Sequence, residues 1–195
     1  MTFKHAATSA IAALGLALTA SNALSQDAAS EDAALQALED ALPGTLLHNP
    51  LNNTWEPGGR DIKTKLVDAE ALMTGRAMSV KVKNRQDKPW DTYMRAEIDG
   101  EVKKGDTVQV IYYARTAKPA RGMDTGDVSL FLGRNEDPYD YIIAEEFKPS
   151  TEWELKSMTG TANADFPAGT VKLEYQLGRA AQTVEFGPVY VSRLD

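Results

Sequence analysis

Apolar and polar residues alternate through two stretches near the end of the chain. In VKLEYQLG (171–178) and QTVEFGPVYV (182–191), apolar side chains recur at every second position over most of the length. A period of two is typical of β-strands that bury one face. The connection at 178–181 is short enough for a turn, so the pattern predicts two strands joined as a hairpin. Such strands need a second sheet to cover their apolar faces.

Similar alternation recurs from Thr45 onward and predicts about nine or ten short strands separated by turn residues, which is typical of a β-sandwich or barrel. Residues 91–98 form one such strand and 107–116 another, while 141–148 and 151–158 are plausible partners with Trp153 buried. Residues 100–107 are predicted to connect two strands as a hairpin. Two strands show which side chains should face the core: Met94, Ala96 and Ile98 in the first, and Val108, Val110, Tyr112 and Ala114 in the second.

The opposite faces of these strands carry an unusual mixture of aromatic and polar residues. A sheet face that is merely solvated is rich in threonine, lysine and glutamate, so the aromatic side chains call for a functional explanation. We expect these residues to form a surface outside the core: Tyr93, Arg95, Gln109, Tyr113, Ser129, Phe131, Lys172, Glu174 and Gln176.

The beginning of the chain has a different composition. Residues 1–25 combine a short basic start, an apolar middle and small residues at the end, which predicts a secretory signal peptide and a secreted or periplasmic protein. Residues 26–44 carry five acids and no basic residue. Leu35, Leu38 and Leu42 fall on one helical stripe, so this leader is either a solvated acidic linker, which we favour, or a short docked helix.

Composition excludes several classes of function. The 195-residue chain has no cysteine and a formal net charge of −7, which argues against thiol chemistry, nucleic acid and anionic membrane surfaces. No membrane insertion is expected once the signal peptide is removed. After that removal a single histidine remains, His48, which we expect at the surface. A histidine metal cluster is therefore excluded.

Several ordered motifs resemble the carbohydrate-binding modules of families 4 and 9. Each motif is weak alone, but their order and spacing match over roughly residues 46–194. The motifs are GRAMSVKV (75–82), PWD (89–91), KGDTVQVIYYAR (104–115), Trp153, PAG (167–169), and LG (177–178) with QTVEFG (182–187).

The resemblance implies an all-β fold over 45–195, a galactose-binding-like jelly roll of two antiparallel sheets, with a glycan bound on its concave face or edge. In the family, aromatic rings stack on sugars while amides, carboxylates and arginines bind hydroxyls. Glu185 stands where many members carry an aspartate linked to a structural calcium, which puts that metal in doubt. Carried over position by position, the binding residues implied are Trp90, Tyr93, Arg95, Tyr113, Phe131 and Gln176.

The sequence leaves three functions open. The first is non-catalytic binding of a poly- or oligosaccharide, with no cofactor certain, a structural calcium possible and the oligomeric state undetermined. The second is an envelope domain that binds or assembles other proteins. The third is a small glycan hydrolase with two catalytic acids, whose separation the sequence does not give. Its candidate carboxylates are Glu136, Asp137, Asp140, Glu145 and Glu146.

Overall fold

The computed structural model describes residues 35–38, 40–51, 55–134 and 136–194. The predicted signal peptide and most of the leader lie outside these residues. Within them, no helix has the length and hydropathy needed to cross a bilayer. The strands are β1 (Thr45–Leu46), β2 (Glu56–Gly59), β3 (Ile62–Asp68), β4 (Arg76–Val82), β5 (Thr92–Ile98), β6 (Thr107–Lys118), β7 (Val128–Gly133), β8 (Tyr141–Phe147), β9 (Glu154–Thr161), β10 (Val171–Gln176) and β11 (Thr183–Leu194).

The strands form two antiparallel sheets packed face to face. One sheet has five strands in the order β2-β5-β10-β7-β8. The other has six, in the order β3-β4-β11-β6-β9, with β1 paired to β11. This arrangement confirms the all-β, two-sheet jelly-roll sandwich expected from the sequence.

The core lies between the sheets and is built from alternate residues of each strand. The inward positions predicted for β5 and β6 are all buried, from Met94 to Ile98 and from Val108 to Ala114. At its centre the ring of Tyr175 stacks on Phe186 with ring centroids 4.1 Å apart, and on Trp55 with centroids 5.4 Å apart. Because successive side chains of a strand point to opposite faces, the strand that buries Tyr175 presents Glu174 and Gln176 on its outer face.

Both predicted hairpins are wrong. Strand β10 lies in the five-stranded sheet and β11 in the six-stranded sheet, so the segment 178–181 crosses from one sheet to the other. Residues 100–107 make the same kind of crossing between β5 and β6. A period of two identifies a half-buried strand but does not identify its hydrogen-bonding partner, and a short connection suits a corner as well as a hairpin.

Part of the acidic leader packs against the sandwich. Residues 35–38 and 40–41 are helical, and we call them the leader helix. Leu38 and Leu42 are buried against Ile111 and Tyr190 on the outer face of the six-stranded sheet, which corrects the expectation of a solvated linker. Burial at this contact raises the pKa of Tyr190 to about 12. The apolar stripe therefore outweighs the polar composition of this segment.

Two further expectations about single residues are wrong. His48 is buried, and its Nε2 accepts a hydrogen bond of 3.2 Å from the backbone N–H of Val191. Trp153 is half-buried on the outer face of the six-stranded sheet, with the Arg115 guanidinium 4.9 Å from the ring centroid. His48 is therefore not at the surface, and Trp153 is not in the core between the sheets.

Gly160 allows β9 to approach β8, which closes one side of the sandwich. A Cβ atom at this position would overlap the carbonyl oxygen of Ile142. We expect Gly160→Ala to lower the free energy of unfolding by about 3 kcal/mol, because two backbones must separate. Urea denaturation followed by circular dichroism measures this. Gly75→Ala is the control: its Cβ meets nothing within 4 Å, so only the strain of φ +65° remains, about 1 kcal/mol. Equal losses in the two variants would contradict the packing explanation.

Candidate functional site

A groove of about 480 Å³ crosses the outer face of the five-stranded sheet. Five aromatic rings and three polar side chains line it. One of the rings, Tyr139, comes from the loop before β8. The lining residues are Trp90, Tyr93, Arg95, Phe131, Tyr139, Tyr141, Glu174 and Gln176. Five of them were named from the sequence as candidate binding residues, and the fold brings those five together.

The register of the sheet explains why these side chains meet. Tyr93 of β5 lies opposite Gln176 of β10. One step along the strands, Arg95 lies opposite Glu174, which in turn lies opposite Phe131 of β7. Directly opposed residues on one face of an antiparallel pair are close enough to interact. The outward-facing side chains of β5, β10 and β7 therefore form a continuous floor of the groove.

Glu174 is the centre of the polar part of the groove. It is only 4% exposed, and its Oε2 accepts hydrogen bonds from Arg95 Nε (2.9 Å) and Nη2 (2.7 Å). Its Oε1 accepts a hydrogen bond of 2.9 Å from Gln176 Nε2. A buried carboxylate held on both oxygens has a fixed orientation, so this triad is set before any ligand arrives.

Trp90 forms one aromatic end of the groove. It belongs to the 3₁₀ turn Pro89–Asp91 just before β5 and is 52% exposed, with Lys88 Nζ 5.4 Å from the ring centroid. The turn is fixed by hydrogen bonds from Lys88 N to the Asp91 carboxylate (3.3 Å) and from Gly178 N to the Pro89 carbonyl (2.9 Å). An exposed tryptophan on an anchored turn presents a flat apolar surface without loss of core packing.

Phe131, Tyr139 and Tyr141 form the other aromatic end. The rings of Phe131 and Tyr141 meet edge to face with centroids 4.7 Å apart. Tyr139 is 54% exposed and has a φ of +52°, in the left-handed region that non-glycine residues rarely adopt. Sequence reasoning missed both tyrosines, because it placed Tyr139 in no strand and did not assign which residues of the predicted strand 141–148 face outward. The available signal was the pair of aromatic residues, Tyr139 and Tyr141, around the start of the predicted strand 141–148.

Tyr113 does not belong to the groove. It lies on β6 in the six-stranded sheet and packs against Ala69, Leu72 and Ala77 on the opposite side of the sandwich. Burial raises the pKa of its hydroxyl. The sequence placed Tyr113 beside Phe131 because alternation assigns a face to each strand without showing which sheet the strand joins. Gln109, on the same strand, is likewise removed from the predicted surface.

The calcium allowed by the resemblance does not fit at Glu185. This carboxylate is 6% exposed, and its Oε2 lies 2.7 Å from Arg115 Nε on the neighbouring strand. A guanidinium at that distance occupies the place of a cation. In the part of the chain that the structure describes, no three acidic or histidine side chains gather closely enough to hold a metal ion.

Comparison with known proteins agrees with the fold. A family model for a carbohydrate-binding domain, of the family 4 and 9 type, matches residues 50–182, about two thirds of the chain. The chain belongs to this family. The matched region contains the turn and all the strands that line the groove. No curated protein sequence matches this module.

Solved structures of carbohydrate-binding domains share the architecture at low sequence identity. The second N-terminal cellulose-binding domain of Cellulomonas fimi β-1,4-glucanase C has a TM-score of 0.56 and 19% identity, covering 79% of this chain and 94% of that one. The first such domain of the same enzyme has 0.53 and 18%, covering 72% and 89%. A xylan-binding domain from Paenibacillus barcinonensis has 0.52 and 13%, covering 78% and 97%. At these identities the likeness establishes the fold.

Proposed function

We propose that this module binds a poly- or oligosaccharide chain in the groove of the five-stranded sheet and does not cleave it. The observation that carries the proposal is the order of the lining residues: exposed aromatic rings at both ends and a fixed polar triad between them. Membership of the carbohydrate-binding family supports it. The predicted signal peptide would place the module outside the cytoplasm, where such polymers are found.

The chemistry of sugars matches this order. A pyranose ring presents a face of C–H groups that packs on an aromatic ring, and Trp90 and Tyr141 offer such surfaces. Sugar hydroxyls both donate and accept hydrogen bonds. In our proposal they donate to the remaining lone pairs of Glu174 and accept from the second amide proton of Gln176. A groove of this kind holds several sugar units of a chain.

The groove offers little to a hydrolytic mechanism. Glycosidases use two carboxyl groups on either side of the scissile bond. Glu174 is the one carboxylate among the described residues that line the groove, and its two oxygens already bind Arg95 and Gln176. Of the acids considered from the sequence, Asp140 pairs with Arg134 and Glu146 with Arg179, and neither of these two acids lines the groove. These pairings support a binding function without catalysis.

The charges on this sheet favour an uncharged glycan. Arg95 is paired with Glu174, and Lys172 Nζ lies 2.6 Å from Glu97 on the adjacent strand. A carboxylate or sulfate on the ligand would have to compete with Glu174 for Arg95 and with Glu97 for Lys172. Binding of a neutral chain should also depend little on salt, because screening weakens only interactions between charges.

Binding to a panel of soluble β-1,4-glucan, xylan and alginate tests the proposal, by affinity electrophoresis first and then by isothermal titration calorimetry. We expect binding to at least one neutral polymer, with an affinity that changes less than about twofold over a tenfold range of salt. Failure to bind any member of the panel would contradict the proposed function. Preference for alginate with steep salt dependence would contradict the choice of a neutral ligand, and release of reducing sugar would contradict the absence of catalysis.

A further inference from the structure

The ring of Tyr93 lies over a gap left by a glycine on the neighbouring strand. Gly58 of β2 is directly opposite Tyr93 of β5 in the sheet. A Cβ atom at Gly58 would overlap Cζ, Cε2 and the hydroxyl oxygen of the Tyr93 ring. The ring therefore extends across β2 in space that any other residue at position 58 would fill.

The position of this ring is connected to the polar triad of the groove. The guanidinium carbon of Arg95 lies 4.4 Å from the centroid of the Tyr93 ring, a cation–π contact. The same guanidinium donates to Glu174, which accepts from Gln176. A displaced Tyr93 ring would move or loosen Arg95, and with it the carboxylate and amide that face the ligand.

Glycine is required by the backbone at the next position, Gly59, but not at Gly58. Gly59 has a φ of +86°, and a Cβ there would overlap the carbonyl oxygen of Asp91, so the fold itself requires glycine at that position. Gly58 has no positive φ, and the nearest obstacles to its Cβ are the outer atoms of a single side chain. Alanine at position 58 is therefore compatible with the strand and incompatible with the observed position of the Tyr93 ring.

We propose that Gly58 is a positioning residue of the glycan site, which allows the Tyr93 ring to lie across β2 and so holds Arg95 against Glu174. The inference rests on the proposed function for its effect on binding. Its structural part, the dependence of Arg95 on residue 58, can be tested without any ligand.

The first experiment uses Gly58→Ala and nuclear magnetic resonance. In the wild-type protein we expect the Tyr93 ring current to shift the side-chain resonances of Arg95 away from their ordinary values, because the guanidinium lies over the ring. In Gly58→Ala we expect these resonances to return toward ordinary arginine values while the melting temperature changes by no more than about 3 °C. Unchanged Arg95 resonances in a variant that folds would overturn the proposal.

The second experiment is a double-mutant cycle on the neutral glycan that the wild type binds in the panel. Gly58→Ala should weaken binding about fivefold, the scale of one partly exposed cation–π contact. In a Tyr93→Ala background the same change should alter the affinity less than about twofold, since the ring on which Gly58 acts is gone. An equal loss in both backgrounds would overturn the proposal.

Gly59→Ala is the matched control. It should lower the melting temperature markedly, because it strains the backbone. If the wild type binds no glycan at all, the proposed function fails, and the Arg95 resonances alone decide whether Gly58 sets the position of Arg95.

Discussion

Trp90→Ala is expected to weaken glycan binding by at least about thirtyfold, the loss typical of an aromatic residue that dominates a binding surface. Trp90 is 52% exposed on an anchored turn and has no place in the core, so its removal takes away a stacking surface without a cavity. The melting temperature should stay within about 3 °C of the wild-type value. Isothermal titration calorimetry with the polymer bound by the wild type measures the change in affinity.

Trp153→Phe is the matched tryptophan control. Trp153 lies on the six-stranded sheet beside Arg115, on the far side of the sandwich from the groove. We expect this variant to bind like the wild type. Ligand should also change the tryptophan fluorescence of the wild type and of Trp153→Phe, and leave that of Trp90→Phe nearly unchanged. Wild-type affinity in Trp90→Ala together with weakened binding in Trp153→Phe would place the glycan site on the six-stranded sheet and contradict this prediction.

Tyr175→Ala is expected to give the largest loss of stability, about 4 kcal/mol in the free energy of unfolding. The ring is 1% exposed and contacts Trp55, Tyr112, Phe147 and Phe186, so its deletion opens a cavity at the centre of the sandwich. Urea denaturation followed by circular dichroism measures the loss. Because the same strand carries Glu174 and Gln176, glycan affinity should fall as well.

Tyr175→Phe separates the ring from its hydroxyl. This buried hydroxyl has no hydrogen-bond partner among the described residues, so its removal should be neutral or stabilise the protein by about 1 kcal/mol. Burial raises the pKa of Tyr175 well above its ordinary value of 10.0, so the fold favours the neutral form. The wild type should therefore lose stability as the pH rises above 10, and Tyr175→Phe should lose less. A loss as large as that of Tyr175→Ala would contradict this explanation.

The inward and outward faces of several strands could be predicted from the sequence, whereas the sheet that each strand joins could not. The alternation in 91–98 correctly turned Met94 inward and Arg95 outward, because that choice depends only on burial. The placement of Tyr113 beside Phe131 also required knowledge of strand pairing. Pairing depends on how distant segments pack, and the short segments at 100–107 and 178–181 gave no sign that they cross between sheets.

The same reason explains which parts of the groove were found. Tyr93, Arg95, Phe131 and Gln176 lie on strands whose outward positions the alternation predicts. Trp90 lies in the turn before β5 and was implied by the family resemblance. Tyr139 depends on a left-handed loop conformation that aromatic residues rarely adopt, so no local preference pointed to it. Gly58 precedes Tyr93 by 35 positions, and its relation to that ring exists only in the paired sheet.

The leader helix and the groove lie on opposite sides of the module. The helix packs on the outer surface of the six-stranded sheet, and the groove opens on the outer surface of the five-stranded sheet, so the two are separated by the full thickness of the sandwich. A fusion partner joined through this helix would be held behind the module, leaving the opposite side clear to lie against an extended polymer. Immobilisation through the leader should accordingly preserve access to the ligand, which makes it the preferred point of attachment for surface-based assays.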